Sequence, residues 1–224
     1  MKGEKIMKAQ GKRDVELGVV WIAVFALWTA LIQCVDVRPV GQNGTNIGFA
    51  AFNTWFHQLT GAHIAIYAVT DWLGLVPAFI CIGFGVMGFI QLVKRRSLKK
   101  VDMDLILLGF HYALVIFAYL IFEMIPINYR PIPIKGIMEA SYPSSTTLLV
   151  LSVMPTLKFQ VDRREPRPRV RKWTGVLVIL FSALMVAGRL LSGVHWFTDI
   201  VGAVFLSAGL FMIYRGAVVL TDKG

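Results

Sequence analysis

Apolar residues in this chain do not alternate with polar ones at a strand period or keep to one helical stripe; they run on. Six such runs stand out, at approximately 16–35, 70–92, 104–124, 143–160, 173–190 and 197–217. At about 1.5 Å of rise per residue, each is long enough to cross a bilayer as a helix. The expectation is an all-α fold: a six-transmembrane helix bundle in which residues 1–224 form a single integral membrane domain. The fourth run is the shortest and most polar. It opens "SYPSSTTLLV" and is expected to begin at the membrane interface.

The segments between the runs refine this layout. The first run follows "MKGEKIMKAQGKRD", a basic start that resembles a secretory leader. The run is long, contains Trp21 and Trp28, and ends "LIQCVD" with no small-x-small cleavage site, so a retained helix is expected. The connection 36–69 starts with turn formers, "DVRPVGQNGTNIG", and continues "FAAFNTWFHQLTG" with aromatics at roughly helical spacing. This predicts a short outer interfacial helix.

Composition agrees with a membrane protein. Mean hydropathy is +0.65, and 56% of residues are hydrophobic. The formal charge of +10 would suit a nucleic-acid binder if it formed one patch, but it does not. The N-terminus, the segment "VKRRSLKK", the segment "LKFQVDRREPRPRVRK" and the tail hold 19 of the 23 lysines and arginines. These are alternate connections, the positive-inside pattern of a multi-pass protein of the cell membrane. No nucleic acid is implied. Both termini are expected in the cytoplasm, with the basic loops against anionic lipids. Cys34 and Cys81 both fall in apolar runs and read as inert thiols rather than a disulfide framework.

The polar residues that need explaining lie on the opposite, extracytoplasmic side. Only Arg38, Arg130, Lys135 and Arg189 are basic there. Arg130 sits in "FEMIPINYRPIPIKGIMEASYPSSTT" and Arg189 in "GRLLSGVHWFTDI", the two connections that flank the fourth and sixth runs. Ionisable groups beside a bilayer are costly and usually have a task. Paired guanidiniums suit a phosphate, whose oxygens match their forked donors. Ser144, Ser145, Thr146 and Thr147 open the fourth run, where unpaired amides can cap the helix or bind an anion. His195 and Asp199 stand four residues apart, on one helical face. Asp199 is expected to accept a hydrogen bond from one ring nitrogen of His195 and so leave the other nucleophilic. That chemistry suits attack on phosphorus through a phosphohistidine, and calls for no metal or other cofactor.

These fragments resemble the membrane branch of the type 2 phosphatidic acid phosphatase superfamily, whose motifs read K-x6-R-P, P-S-G-H and S-R-x5-H-x3-D. Here the third motif is Gly188, Arg189, His195 and Asp199; the second is Pro143-Ser144-Ser145-Thr146; the first is Glu123-x6-Arg130-Pro131. The resemblance implies His195 as nucleophile, Asp199 as its orienting partner, and Arg130, Arg189 and Ser144 as phosphate ligands. Ser145 and Thr146 join them as candidates from the same hydroxyl cluster. The implied substrate is a membrane lipid phosphate or polyprenyl diphosphate.

Two departures bear on activity. Glu123 stands where the family has lysine, and Lys135 is a candidate to restore the charge. Thr146 stands where the family has the histidine that protonates the leaving oxygen. Candidate substitutes for that acid are His57, His63, His111, Glu123 and Glu139, with Glu139 best placed in sequence. Asp71 is expected to cap the second span rather than reach the pocket. The resulting expectation is an outer-face lipid phosphatase. The alternatives are a catalytically weak or inactive phospholipid-binding relative and, as a third class, a small transporter subunit, which the lack of midplane charges disfavours.

Overall fold

The computed structural model describes residues 2–134 and 136–222. Within them are eight α-helices: α1 (Lys2–Cys34), α2 (Ala50–Thr60), α3 (Ile64–Leu73), α4 (Leu75–Arg95), α5 (Met103–Met124), α6 (Ser145–Arg164), α7 (Pro168–Leu191) and α8 (Phe197–Thr221). Extended pairing among the described residues is limited to isolated bridges, such as Tyr129 with Ala140. The fold is all-α.

Five segments are long and apolar enough to cross a membrane: Gly3–Cys34, Ile64–Arg95, Met103–Met124, Pro168–Leu191 and Phe197–Thr221. Large side chains such as Phe79, Phe89, Phe110 and Leu180 lie exposed along their outer faces. In water such faces would aggregate; here they meet lipid. The chain is a multi-pass membrane protein.

Element boundaries differ from the sequence expectation in three places. Helix α1 begins at Lys2, well before residue 16, because its polar start is made of good helix formers and carries a Lys8–Glu4 pair at 2.6 Å. The second run is two helices, α3 and α4, meeting at Gly74, whose N–H returns to the carbonyls of Thr70 and Asp71. Pro77 is tolerated three residues later, because a helix's first amides have no internal partner. The fourth run, α6, is helical but is not among the five apolar crossings. It sits inside the bundle with Leu148, Val150, Val153 and Thr156 all buried.

Lipid tails are as apolar as leucine, so hydrophobic burial alone does not drive helices together in a bilayer; close packing and polar contacts do. Helix α8 is the hub, and α1 runs along it. Their backbones approach at glycines: a Cβ on Gly18 would lie 2.8 Å from the Ile213 nitrogen, and one on Gly216 would lie 2.7 Å from the Gly11 carbonyl. Arg215 closes this seam by gripping both oxygens of Asp14, at 2.8 and 2.5 Å. Aromatic and aliphatic residues from four helices, among them Phe25, Val115, Leu148 and Leu206, fill the bundle at its other end together with Tyr142 of the α5–α6 connection. There the Tyr142 hydroxyl meets Thr29 Oγ1 at 2.6 Å.

The two ends of the bundle differ chemically. At the end with the basic connections, Arg164 bonds both oxygens of Asp104 at 2.8 Å, and Arg163 reaches Asp222 at 2.9 Å. Part of the basic charge there is thus neutralised within the chain. The opposite end gathers the connections that carry Arg130, Arg189 and His195.

Candidate active site

The α7–α8 connection, residues 192–196, is held tightly. Gly193 has a positive φ of 66°, and a Cβ there would strike the Gly61 carbonyl. The His63 amide donates to the Ser192 carbonyl at 2.9 Å, and His57 Nε2 lies 3.1 Å from the Gly193 carbonyl. This clamp delivers His195 to the inside of the bundle end with only 4% of its surface exposed.

His195 Nδ1 lies 3.1 Å from the Ser141 carbonyl, an acceptor. The Nδ1 atom must therefore carry the hydrogen, which leaves a lone pair on Nε2. That Nε2 is buried without a hydrogen-bond partner. The expected hydrogen bond from His195 to Asp199 is not formed: Oδ2 stands 3.7 Å from Nδ1. The Asp199 carboxylate instead accepts the Trp196 amide at 2.9 Å, capping α8, and the Asn128 side-chain amide at 3.0 Å. Its backbone carbonyl accepts the Ser144 amide at 3.2 Å. Asp199 thus ties the α5–α6 connection to the α7–α8 connection and places a negative charge behind the imidazole. Burial pushes the His195 imidazole down from its ordinary 6.5 to about 4; Asp199 pulls it up, and the positive charge of Arg130 pushes it further down. The ring is neutral at physiological pH.

Arg130 comes from the α5–α6 connection. Its amide donates to the Glu139 carbonyl at 3.1 Å, so residues 128–134 and 136–141 form two arms that face each other. The Glu139 carboxylate lies 3.0 Å from Arg130 Nε, while Arg130 Nη1 is buried and unpartnered. Arg189, on the last turn of α7, is almost wholly buried. Its guanidinium donates to Thr146 Oγ1 and, at 3.3 Å, to Thr70 Oγ1, and approaches Asp71 at 3.5 Å, leaving Nε unpartnered. Asp71 therefore does not cap a helix: it lies within α3 and reaches Arg189.

A cavity of about 210 Å³ is lined by His195, Arg130, Glu123, Glu139, Ser141 and Ser145, among others. Residues from α5, α6 and both connections thus share one space. Arg189 is not in the lining, but Tyr67 brings it near: the Arg189 and Arg130 guanidinium carbons lie 4.9 and 5.8 Å from the Tyr67 ring centroid. The hydroxyl cluster divides. Ser145 faces the cavity. Ser144 spends its amide on Asp199 and donates its hydroxyl to Thr147 at 3.1 Å, so neither donor is free for a ligand. Thr146 is occupied by Arg189. Lys135 lies outside the described residues. His57 and His63 bond nearby carbonyls outside the cavity lining, and His111 is buried between helices, 3.1 Å from the Ser152 carbonyl.

Several contributors carried no chemical signal in the sequence. Ser141 matters through its carbonyl, which any residue would supply. Asn128 is one of the unspecified positions inside the first motif, Tyr67 falls outside all three, and α3 is remote from them in sequence.

A family model described as the PAP2 superfamily matches residues 111–219. The fold is similar to the crystal structure of a transmembrane PAP2-type phosphatidylglycerolphosphate phosphatase from Bacillus subtilis. The TM-score is 0.65 with 16% identity, over 92% of this chain and 98% of that one. No curated protein sequence matches the chain.

Proposed function

Because a PAP2 superfamily model matches residues 111–219, we propose that this membrane protein is a lipid phosphatase that works through a phosphohistidine on His195. The observation that carries the proposal is the buried, unpartnered Nε2 of His195, facing a cavity that it shares with Arg130. In this reading the Nε2 lone pair attacks phosphorus and the bond from phosphorus to the lipid oxygen breaks. Positive charge that develops on the ring is met by the Ser141 carbonyl and the Asp199 carboxylate behind it. Arg130 Nη1 and Arg189 Nε are the unused donors for the phosphate oxygens. Water then cleaves the N–P bond, phosphate leaves and the neutral imidazole returns.

The departing lipid oxygen needs a proton unless it belongs to a second phosphate. With Thr146 bound to Arg189, Glu139 and Glu123 are the acids that line the cavity. Glu139 already lies against Arg130; an arriving phosphate displaces it, and beside the phosphate's negative charge the freed carboxylate takes up a proton from water, gives it to the departing oxygen, and regains one from the water that later cleaves the N–P bond. A neighbouring groove of about 430 Å³ runs between α3, α4, α5 and α6, lined by residues such as Leu75, Val115 and Leu149 and sharing Tyr119 and Ser145 with the cavity. It gives a lipid tail a lateral path while the head meets the arginines. We place the site at the extracytoplasmic face and both termini in the cytoplasm, because the basic connections cluster at the other end of a six-span bundle that includes α6. The α2 helix exposes Phe52, Trp55 and Leu59, as an interfacial helix does.

The test is phosphate release by purified protein from phosphatidic acid and from a polyprenyl diphosphate, in chelator. The proposal expects release that is lost by at least about 10³-fold in His195→Ala. Equal release by wild type and His195→Ala overturns it. Substrate binding without release identifies the silent, lipid-binding relative instead.

A further inference from the structure

Arg130, from the α5–α6 connection, and Arg189, from the last turn of α7, both come within 6 Å of the Tyr67 ring, and like charges so placed repel. Ordinary hydrogen bonds do not explain how they are kept together with donors to spare. A group within reach of both is Tyr67, on α3, which lies outside the matched segment and outside all three motifs. Tyr67, Thr70 and Asp71 stand at spacings of three and four residues, on one helical face. Thr70 Oγ1 accepts from Arg189, Asp71 lies 3.5 Å from it, and the Tyr67 ring lies within cation–π range of both guanidiniums.

We propose that Tyr67 is a positioning residue of the phosphate site, its ring face holding Arg130 and Arg189 together so that both address one phosphate. An aromatic face attracts a guanidinium through its quadrupole and occupies none of its N–H donors. A carboxylate in the same place would neutralise the charge and occupy the donors the ligand needs. The arrangement fits the atoms left over: Arg130 Nη1 and Arg189 Nε are buried and unpartnered. It also explains Gly188, where the family motif has serine. A Cβ at Gly188 would lie 2.6 Å from Thr70 Cγ2, so the missing side chain lets α3 pack against α7 one residue before Arg189.

This inference rests on the reading of the cavity as a phosphate site, and its test separates the two. The dissociation constant for inorganic phosphate and the KM and kcat for phosphatidic acid are measured on the full chain in detergent. Tyr67→Leu is expected to weaken phosphate binding and raise KM by roughly three- to thirtyfold. Because the arginines hold the phosphate in the bound substrate as well as in the transition state, kcat falls less than KM rises. Tyr67→Phe, which keeps the ring, stays within about twofold of wild type. A trifluorinated phenylalanine at the same position keeps the ring's shape but drains its face of charge. It is expected to behave like Tyr67→Leu, and it keeps the test sound if the leucine variant does not fold.

Phosphate binding that is unchanged in both Tyr67→Leu and the fluorinated variant overturns the proposal, as does Tyr67→Phe being as weak as Tyr67→Leu. A wild type that releases phosphate beside such a flat series removes Tyr67 alone. A wild type that neither binds nor releases phosphate removes the reading of the cavity, and this inference with it.

Discussion

At the scale of single residues, the chemistry depends on keeping a histidine neutral and half-bonded in a buried place. Its depressed pKa sets a pH dependence. In the unfolded chain His195 takes up a proton below about 6.5, whereas in the folded chain it does so only near 4. Between those values the unfolded state binds more protons, so the folded state loses stability as pH falls, by up to about 1.4 kcal/mol per unit. Thermal denaturation from pH 7 to pH 4 should therefore show wild type losing more stability than His195→Gln; parallel curves would contradict the buried neutral ring. Asp199 is structural as well as electrostatic. Removing its carboxylate in Asp199→Ala uncaps α8 and strands Asn128, which should cost about 2 kcal/mol and lower kcat together. Loss of kcat at unchanged stability would assign it to the chemistry alone. The sequence made His195, Arg130 and Glu139 visible because ionisable groups stand out against an apolar background. It pointed to the wrong hydrogen-bond partner for His195. The fourth-residue spacing puts Asp199 near, but the carbonyl of Ser141 arrives from a distant loop and is closer.

At the scale of elements, hydropathy located α5, α7 and α8 well, because lipid-facing helices are apolar on most sides. It set the start of α1 too late, since a helix that leaves the bilayer is no longer apolar. It also ran α3 and α4 together, since one glycine between two helices leaves the apolar run unbroken. Helix contacts were not legible, because in lipid they depend on where small residues meet. The glycines of the α1–α8 seam make this testable. Gly18→Val places atoms against the Ile213 backbone and the Gly209 carbonyl, neither of which can turn aside. A loss of about 1–3 kcal/mol in detergent stability is expected, against little change for Gly83→Val, where a Cβ meets nothing within 4 Å. Equal effects at the two positions would mean that the seam does not hold the bundle.

At the scale of the whole molecule, charge asymmetry and site placement agree: one end is basic and partly self-paired, and the other holds the cavity. The proposed orientation predicts that a single cysteine at exposed Asn46, in a chain lacking Cys34 and Cys81, reacts with an impermeant reagent on intact cells. A cysteine at Ser97 should react only after lysis. The reverse pattern would put the site in the cytoplasm. The claim beneath all of this is that His195 Nε2 itself bonds to phosphorus, and rapid quenching of the enzyme with lipid carrying labelled phosphate tests it most directly. The account predicts an acid-labile, alkali-stable label on the peptide that contains His195, absent from His195→Ala. Steady phosphate release with no label on that peptide would contradict it.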